Sequence, residues 1–352
     1  MIRALFYKKK TGKLSFLKTS FWTFSIVSLA GVGYSGYSQY RLEQSKIELS
    51  QNHFVKYKVK WRKFVDEKHY LLEIEPLKPQ KVNVWNQNGY RKLWSVEIKQ
   101  PQIHVVRNYT PLPLTHVEDT SDEISLKVLD DDKIDNGKLM FYIKSYDNGE
   151  VARWLSKLPI GHEIEVRGPY IEYEFPEAPS DEVVLDRGFL NSSEETSLGN
   201  KSKYKSFDIN FFSAGTGIVT PLQLMLTQDP FKGKIQIIHA CKNYQKELAP
   251  LLPLLKKLEN HDRLKMHYFE NFRKELTNCR VLDKIAETPY PFHDLTTLNN
   301  GSTSLKPIFS LVVGPDGFIE SVCGPKYELH QGPITGYLGQ KGWNNNTVFK
   351  LS

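Results

Sequence analysis

Cysteine is scarce: the 352 residues hold Cys241, Cys279 and Cys323, with no Cys-x-x-Cys pair and no repeated spacing. A zinc ribbon and a disulfide scaffold are therefore excluded. The ten histidines include no His-x-x-x-His pair, so they are read as surface or core residues and no metal site is expected. Acidic residues are missing from positions 1 to 40, where Arg3, Lys8, Lys9, Lys10, Lys13 and Lys18 account for six of the formal net charge of +7. The rest of the chain is close to neutral. The basicity is thus an N-terminal address and not a nucleic-acid surface.

Charge of either sign is missing from residues 19 to 40. At about 1.5 Å per residue such a run crosses a bilayer core about 30 Å thick. It is diluted by Thr, Ser and three glycines, Gly31, Gly33 and Gly36. A cleaved secretory signal is the plain alternative, with a shorter apolar core and a small-residue cleavage site. A basic, acid-free leader ahead of the run instead fits mitochondrial import and arrest in the inner membrane. The positive-inside tendency then places the N-terminus in the matrix and the large C-terminal part in the intermembrane space. Residues 1–18 are read as a targeting segment, 19–40 as a transmembrane helix and 41–53 as a polar stalk.

From residue 54 the pattern is alternation. Runs at 54–61, 69–75, 94–98, 103–109, 124–128, 139–146 and 163–167 read as half-buried strands, and the turn residues between them point to an antiparallel barrel. Residues 176–206 are polar and proline-containing, and read as an interdomain connection with a surface loop. The period then switches: strand 209–212, helix 221–226, strand 235–240, helix 245–258, strand 264–269 and strand 308–313, with a low-complexity loop at 294–305. Alternating strands and helices argue a doubly wound parallel sheet, which binds ligands at the carboxyl ends of its strands. The expected domains are a barrel over 54–175 and an α/β domain over 207–352.

Two motifs carry chemistry. The apolar strand ending Phe211, Phe212, Ser213, Ala214 runs into Gly215, Thr216, Gly217 and then a helix, a turn whose glycines let backbone N–H groups approach a diphosphate. Alone it marks tight strand-to-helix turns of every kind. Earlier, Arg107, Asn108, Tyr109, Thr110 place a cation, a flat aromatic ring and a hydroxyl on a short extended segment. Its ordinary reading is a cross-strand arginine and a tyrosine packed on a barrel face, since strands favour tyrosine and threonine.

The order of four motifs is more specific: Arg107-Asn108-Tyr109-Thr110, then Gly161 to Pro169, then Gly215-Thr216-Gly217-Ile218, then Gly314-Pro315-Asp316-Gly317-Phe318. Over residues 54 to 352 the chain resembles the ferredoxin reductase superfamily, within it the cytochrome b5 reductase group of FAD-dependent, NADH-using flavoproteins. The resemblance implies a six-stranded FAD-binding barrel followed by an NAD(P)H-binding α/β domain. It places Arg107 on the FAD diphosphate and Tyr109 against the isoalloxazine. Thr110 falls beside the flavin nitrogen that accepts hydride, so Tyr109 and Thr110 form the catalytic pair. Tyr142, Ile143 and Lys144 would follow the ribityl chain, and Gly149, Glu150, Val151 and Ala152 would form a second phosphate turn. Gly215, Thr216 and Gly217 would receive the nicotinamide dinucleotide, with Thr220 touching the flavin and Gly314 and Pro315 beside the nicotinamide.

Three departures stand out. Ala152 replaces a usual Ser or Thr. Both Val219 and Thr220 lie between Ile218 and Pro221, where one residue is usual. Val313 stands where a cysteine ordinarily precedes Gly-Pro; a literal Cys323-Gly324-Pro325 occurs later, but only Gly314 follows an apolar strand directly. A narrower resemblance, resting on the N-terminal anchor and the ending Gly332 to Trp343, is to fungal mitochondrial FAD proteins that support haem attachment to cytochrome c. It implies haem, apocytochrome c or cytochrome c haem lyase as partners, and reduction of haem or of its acceptor as the output. A flavin-fold scaffold without turnover and a general NADH-cytochrome b5-type reductase remain alternatives, and NADH is not separated from NADPH.

Overall fold

The computed structural model describes residues 47–89, 92–117, 124–129, 137–175, 188–191, 208–227, 235–278, 280–286, 308–327 and 330–351. The expected leader, the 19–40 span, most of the 176–206 connection, the 294–305 loop and Cys279 lie outside them. Among the described residues no helix is long and apolar enough to cross a membrane. From Leu49 onward the chain forms one compact unit.

Alternating residues build the first sheet. Six antiparallel strands, β1 (Val55–Phe64), β2 (His69–Pro76), β3 (Lys92–Gln100), β4 (Val105–Tyr109), β7 (Leu139–Lys144) and β8 (Glu163–Glu174), lie in the order β4-β3-β8-β1-β2-β7. Just past β4, Leu112 exchanges both backbone hydrogen bonds with Met140 of β7, at 2.7 and 3.4 Å, drawing the outer edges into a partly closed barrel. Tyr57, Val59, Leu72, Ile74, Val96, Ile98, Phe141 and Val166 fill the inside. The alternate residues Leu71, Leu93 and Met140 face outward, and they too are buried. The chain ahead of Phe54 already packs here, with the Leu49 N–H donating to Gln80 Oε1 at 2.7 Å and the Gly168 N–H to the Ser50 carbonyl at 3.1 Å.

The run expected at 124–128 as a barrel strand belongs elsewhere. β6 (Leu126–Val128) pairs only with β5 (Leu114–His116) in a separate hairpin. That hairpin is pinned to β2 by the buried Glu73 carboxylate, which accepts from the His116 N–H at 3.0 Å and lies 2.7 Å from His116 Nδ1.

The second sheet is parallel throughout: β9 (Asp208–Ala214), β10 (Ile235–Ala240), β11 (Leu264–Phe269), β12 (Ile308–Val313) and β13 (Val348–Lys350), in the order β11-β10-β9-β12-β13. Helices cover both faces. On one side lie α3 (Val219–Leu226) and α5 (Leu252–Asn260), and on the other α6 (Phe272–Asn278), α8 (Asp316–Cys323) and α9 (Gly336–Gln340). The single helix expected at 245–258 is two, α4 (Tyr244–Glu247) and α5. Pro250 has no N–H for a continuous ladder, whereas Pro253 sits in the first turn of α5, where none is needed. Short α1 (Val84–Asn88), α2 (Glu150–Leu155) and α7 (Leu282–Ile285) complete the set. A partly closed antiparallel barrel is thus paired with a doubly wound parallel sheet, the two-part architecture that the resemblance to the ferredoxin reductase superfamily implies.

The two sheets share one apolar core. Leu71, Leu93, Leu112, Leu114 and Met140 from the barrel side join Ile209, Phe211, Leu222, Ile237 and Leu311 from the parallel side. Inside this seam Gln223 of α3 is fully buried. Its Oε1 accepts from the Trp94 N–H, and its Nε2 donates to the Trp94 and Pro111 carbonyls, all at 3.0 Å. Trp94 lies at a bulge in the β3–β8 pairing, where the ladder is disrupted. Gln223→Ala would leave these three groups buried without that partner, at a cost of about 3 kcal/mol by the usual penalty for orphaned polar groups. Urea unfolding followed by tryptophan fluorescence measures it, and a loss under about 1 kcal/mol contradicts the role given to Gln223.

Candidate functional site

A parallel sheet whose order reverses between β9 and β12 leaves a crevice at their carboxyl ends. That crevice opens onto the β4–β7 edge of the barrel and forms a cleft of about 540 Å³. Its walls bring together Arg107, Tyr109, Thr110, Tyr142, Lys144, Gly149, Glu150, Val151, Ala152, Thr216, Gly217, Thr220, Gly314 and Pro315. Gly215 stands outside the lining. Its φ of +54° explains the glycine by backbone conformation, since a Cβ there would meet nothing.

Gly217 is required by packing within the protein. A Cβ there would lie 3.0 Å from the Val313 carbonyl oxygen and 3.2 Å from Val313 Cγ1, so β12 packs hard against the turn at the point where strand order reverses. The turn itself, Gly215–Ile218, is 3-10, and α3 follows at once. Val219 and Thr220, the pair with one residue more than the resemblance implies, are both taken up buried in the first turn of α3.

On the barrel side Arg107 is exposed at the cleft, its Nη1 donating to the neighbouring Val106 carbonyl at 2.9 Å. Tyr109 is half-buried, edge-on to Phe141 with centroids 6.1 Å apart. Burial pushes its phenol well above the usual range, against a smaller opposing pull from Arg107, so it stays neutral. Tyr142 offers a ring and not a hydroxyl: its Oη donates to the Glu247 carbonyl, and its ring stacks with His69 at 5.6 Å. It therefore ties β7 to α4 as well as lining the cleft. Gly149 caps α2, and a Cβ there would lie 3.3 Å from the Tyr146 carbonyl. Ala152 is buried and its carbonyl accepts from Tyr70 Oη at 2.6 Å, which anchors α2 to the barrel.

Trp94, Tyr146, Glu172, Asp316 and Leu351 also line the cleft, and the sequence reading gave none of them a role. Glu172 lies in the part of β8 beyond Gly168-Pro169, which reads as a strand end, and Leu351 follows the three-residue β13. Asp316 was visible within the quoted Gly-Pro motif.

The donor set suits a bound dinucleotide: an exposed guanidinium with no carboxylate partner among the described residues, aromatic faces, and two turns open to backbone approach. Among the described residues no cluster could hold a metal ion.

Beneath the Gly215–Gly217 turn, Val313, Ser213, His239 and Tyr268 are register partners across four strands. Ser213 Oγ lies 2.9 Å from His239 Nδ1, and His239 Nε2 is buried with no hydrogen-bond partner among the described residues. Burial pushes the ring's pKa down to about 3.

Residues 125–175 match the family described as Oxidoreductase FAD-binding domain. The chain is 44% identical over 355 residues to the cytochrome c mitochondrial import factor CYC2 of Saccharomyces cerevisiae, covering 98% of this chain and 95% of that protein. It is 25% identical to NADH-cytochrome b5 reductase 2 of Candida albicans, over 61% of this chain and 62% of the relative. Among solved structures, the cytochrome b5 reductase domain of Ulva prolifera nitrate reductase superposes with a TM-score of 0.49 at 17% identity, covering 86% of this chain and 99% of that one.

The buried imidazole gives the fold an acid-sensitive point. An unfolded histidine titrates near 6.5 while folded His239 holds off the proton until about 3, so its contribution to stability is present above pH 6.5 and is lost as pH falls towards 3. Between pH 6.5 and 5 this one group should remove about 2 kcal/mol. His239→Gln, which can keep a hydrogen bond to Ser213, should flatten that part of the stability–pH curve. An unchanged slope contradicts the assignment.

Proposed function

The chain belongs to the family of the yeast cytochrome c mitochondrial import factor, and on that premise we propose an FAD-dependent NAD(P)H oxidoreductase that reduces haem or its acceptor during covalent haem attachment to c-type cytochromes. The observation that carries the reading is the single cleft in which Arg107, Tyr109 and Thr110 face Thr216, Gly217 and Gly314. A flavin and a dihydronicotinamide must meet face to face, and the two motifs line one crevice.

Arg107 holds the FAD diphosphate, where a planar guanidinium binds two oxygens at once. The Tyr109 ring would cover the isoalloxazine, and the Thr110 hydroxyl would bond beside the nitrogen that accepts hydride. Lys144 and the ring of Tyr142 flank the ribityl chain. Gly149 to Ala152 meet the diphosphate through backbone N–H groups, without the hydroxyl that Ala152 lacks. Gly215, Thr216 and Gly217 receive the nicotinamide dinucleotide, Thr220 reaches the flavin, and Gly314 and Pro315 border the nicotinamide. Bound FAD supplies the means to take a hydride, two electrons, from a dihydronicotinamide and release them singly to ferric haem iron. Residues 19 to 40 anchor the protein in the inner membrane with the C-terminal part in the intermembrane space, where apocytochrome c and cytochrome c haem lyase are its partners.

Val313 favours a second reading. A valine packed against Gly217 cannot offer the polarisable thiol of a cysteine to the nicotinamide, and a fold kept as a scaffold for apocytochrome would not need one.

Flavin retention tests the site. Arg107→Ala should purify colourless or lose its flavin on dialysis while keeping the native circular dichroism, because a charge-assisted contact to a diphosphate has few substitutes. Full retention of flavin by that variant would remove Arg107 from the site.

A further inference from the structure

The carboxyl end of β10 runs beside the glycine turn, Ala240 pairing in parallel with Ala214. The chain leaving β10 therefore starts beside that turn, just outside the lining of the cleft. In sheets of this kind the residues after the second strand meet the adenosine ribose. A carboxylate there hydrogen-bonds a free 2′-hydroxyl, and a cation accommodates a 2′-phosphate.

In this chain the segment is Cys241, Lys242, Asn243, Tyr244, Gln245, Lys246, with two cations and no acid. Lys242 and Lys246 are exposed, and neither has a carboxylate partner among the described residues. The next residue, Glu247, is an acid turned away from any ligand. It is 7% exposed, and its Oε1 accepts from the Lys242 N–H at 3.0 Å and the Asn243 N–H at 3.3 Å. Asn243 Oδ1 in turn accepts from the Lys246 N–H at 3.0 Å, so the lysine-bearing backbone is held in one shape. Beside it the Tyr244 ring stacks on Tyr268 of β11 with centroids 4.3 Å apart and planes 17° from parallel, a flat half-buried aromatic wall. Two exposed acids lie in this neighbourhood, Glu270, which follows β11 one strand further out, and Glu259, whose Oε1 accepts from the Met266 N–H at 2.9 Å.

We propose that this loop selects NADPH over NADH, with Lys242 and Lys246 binding the 2′-phosphate. Two ammonium groups meet a dianion whose counterpart in NADH is a neutral hydroxyl, and the carboxylate nearest to them in the chain, Glu247, is committed to backbone N–H groups. The proposal rests on the pyridine-nucleotide reading above and adds the chemistry of its donor.

Calorimetric titration of the full-length protein in detergent with 2′,5′-ADP and with 5′-AMP tests it, because these ligands differ only in the 2′-phosphate and neither can reduce a flavin. 2′,5′-ADP should bind at least about tenfold more tightly, and the gap should shrink with added salt. In the Lys242→Ala, Lys246→Ala double variant the gap should fall below about threefold, with 5′-AMP affinity unchanged as the sign that the fold is intact. Equal affinities in the native protein, or a preference for 5′-AMP, would overturn NADPH selection and leave the pyridine-nucleotide reading standing. A tenfold gap that survives the double substitution would overturn the lysine assignment, and binding of neither ligand would overturn the pyridine-nucleotide reading itself.

Discussion

The hydrogen bonds of Gln223 across the apolar seam are the constraint on which the site depends. A cleft formed between a barrel and a parallel sheet keeps its dimensions only if the two cannot slide. Dispersion and burial hold Leu71, Leu93 and Met140 against Leu222 and Leu311 without fixing direction. Gln223 adds direction, because its amide meets two carbonyls and one N–H of the barrel side at once. Tyr142 adds a second fixed point through the Glu247 carbonyl. That same carboxyl-bearing residue then shapes the lysine loop through its side chain, so one stretch of chain couples barrel, parallel sheet and loop.

At the strand-order reversal the chain departs most from the pattern it resembles. Val313 packs against Gly217, and beneath the turn a neutral His239 holds Ser213. On the proposed reading these residues lie beneath the nicotinamide, with Val313 making that floor apolar.

Much of this was legible in the sequence because it is local. Alternation found most barrel strands, and β10, β11 and β12 fall at 235–240, 264–269 and 308–313 as expected. The Gly-x-Gly spacing placed the turn, while the separate causes of its glycines, a positive φ at Gly215 and packing against Val313 at Gly217, show only in the fold. What stayed hidden is non-local or short. Gln223 reads as an ordinary polar position in an apolar helix, and Trp94, its partner, lies 129 residues away. β8 continues past Gly168-Pro169 because the chain keeps its pairing to β3 there, against the usual reading of Gly-Pro as a strand end. The β5–β6 hairpin has three residues a side, too few to show a period, and depends on Glu73 from a distant strand.

The central claim is that one cleft brings a flavin and a nicotinamide dinucleotide together. The visible spectrum of the purified full-length protein, recorded without oxygen before and after addition of NADPH or NADH and then of ferric haem, tests it most directly. The account predicts flavin bands that bleach with a reduced dinucleotide and return as the haem is reduced. A colourless protein, or flavin bands that neither nucleotide bleaches, would contradict it.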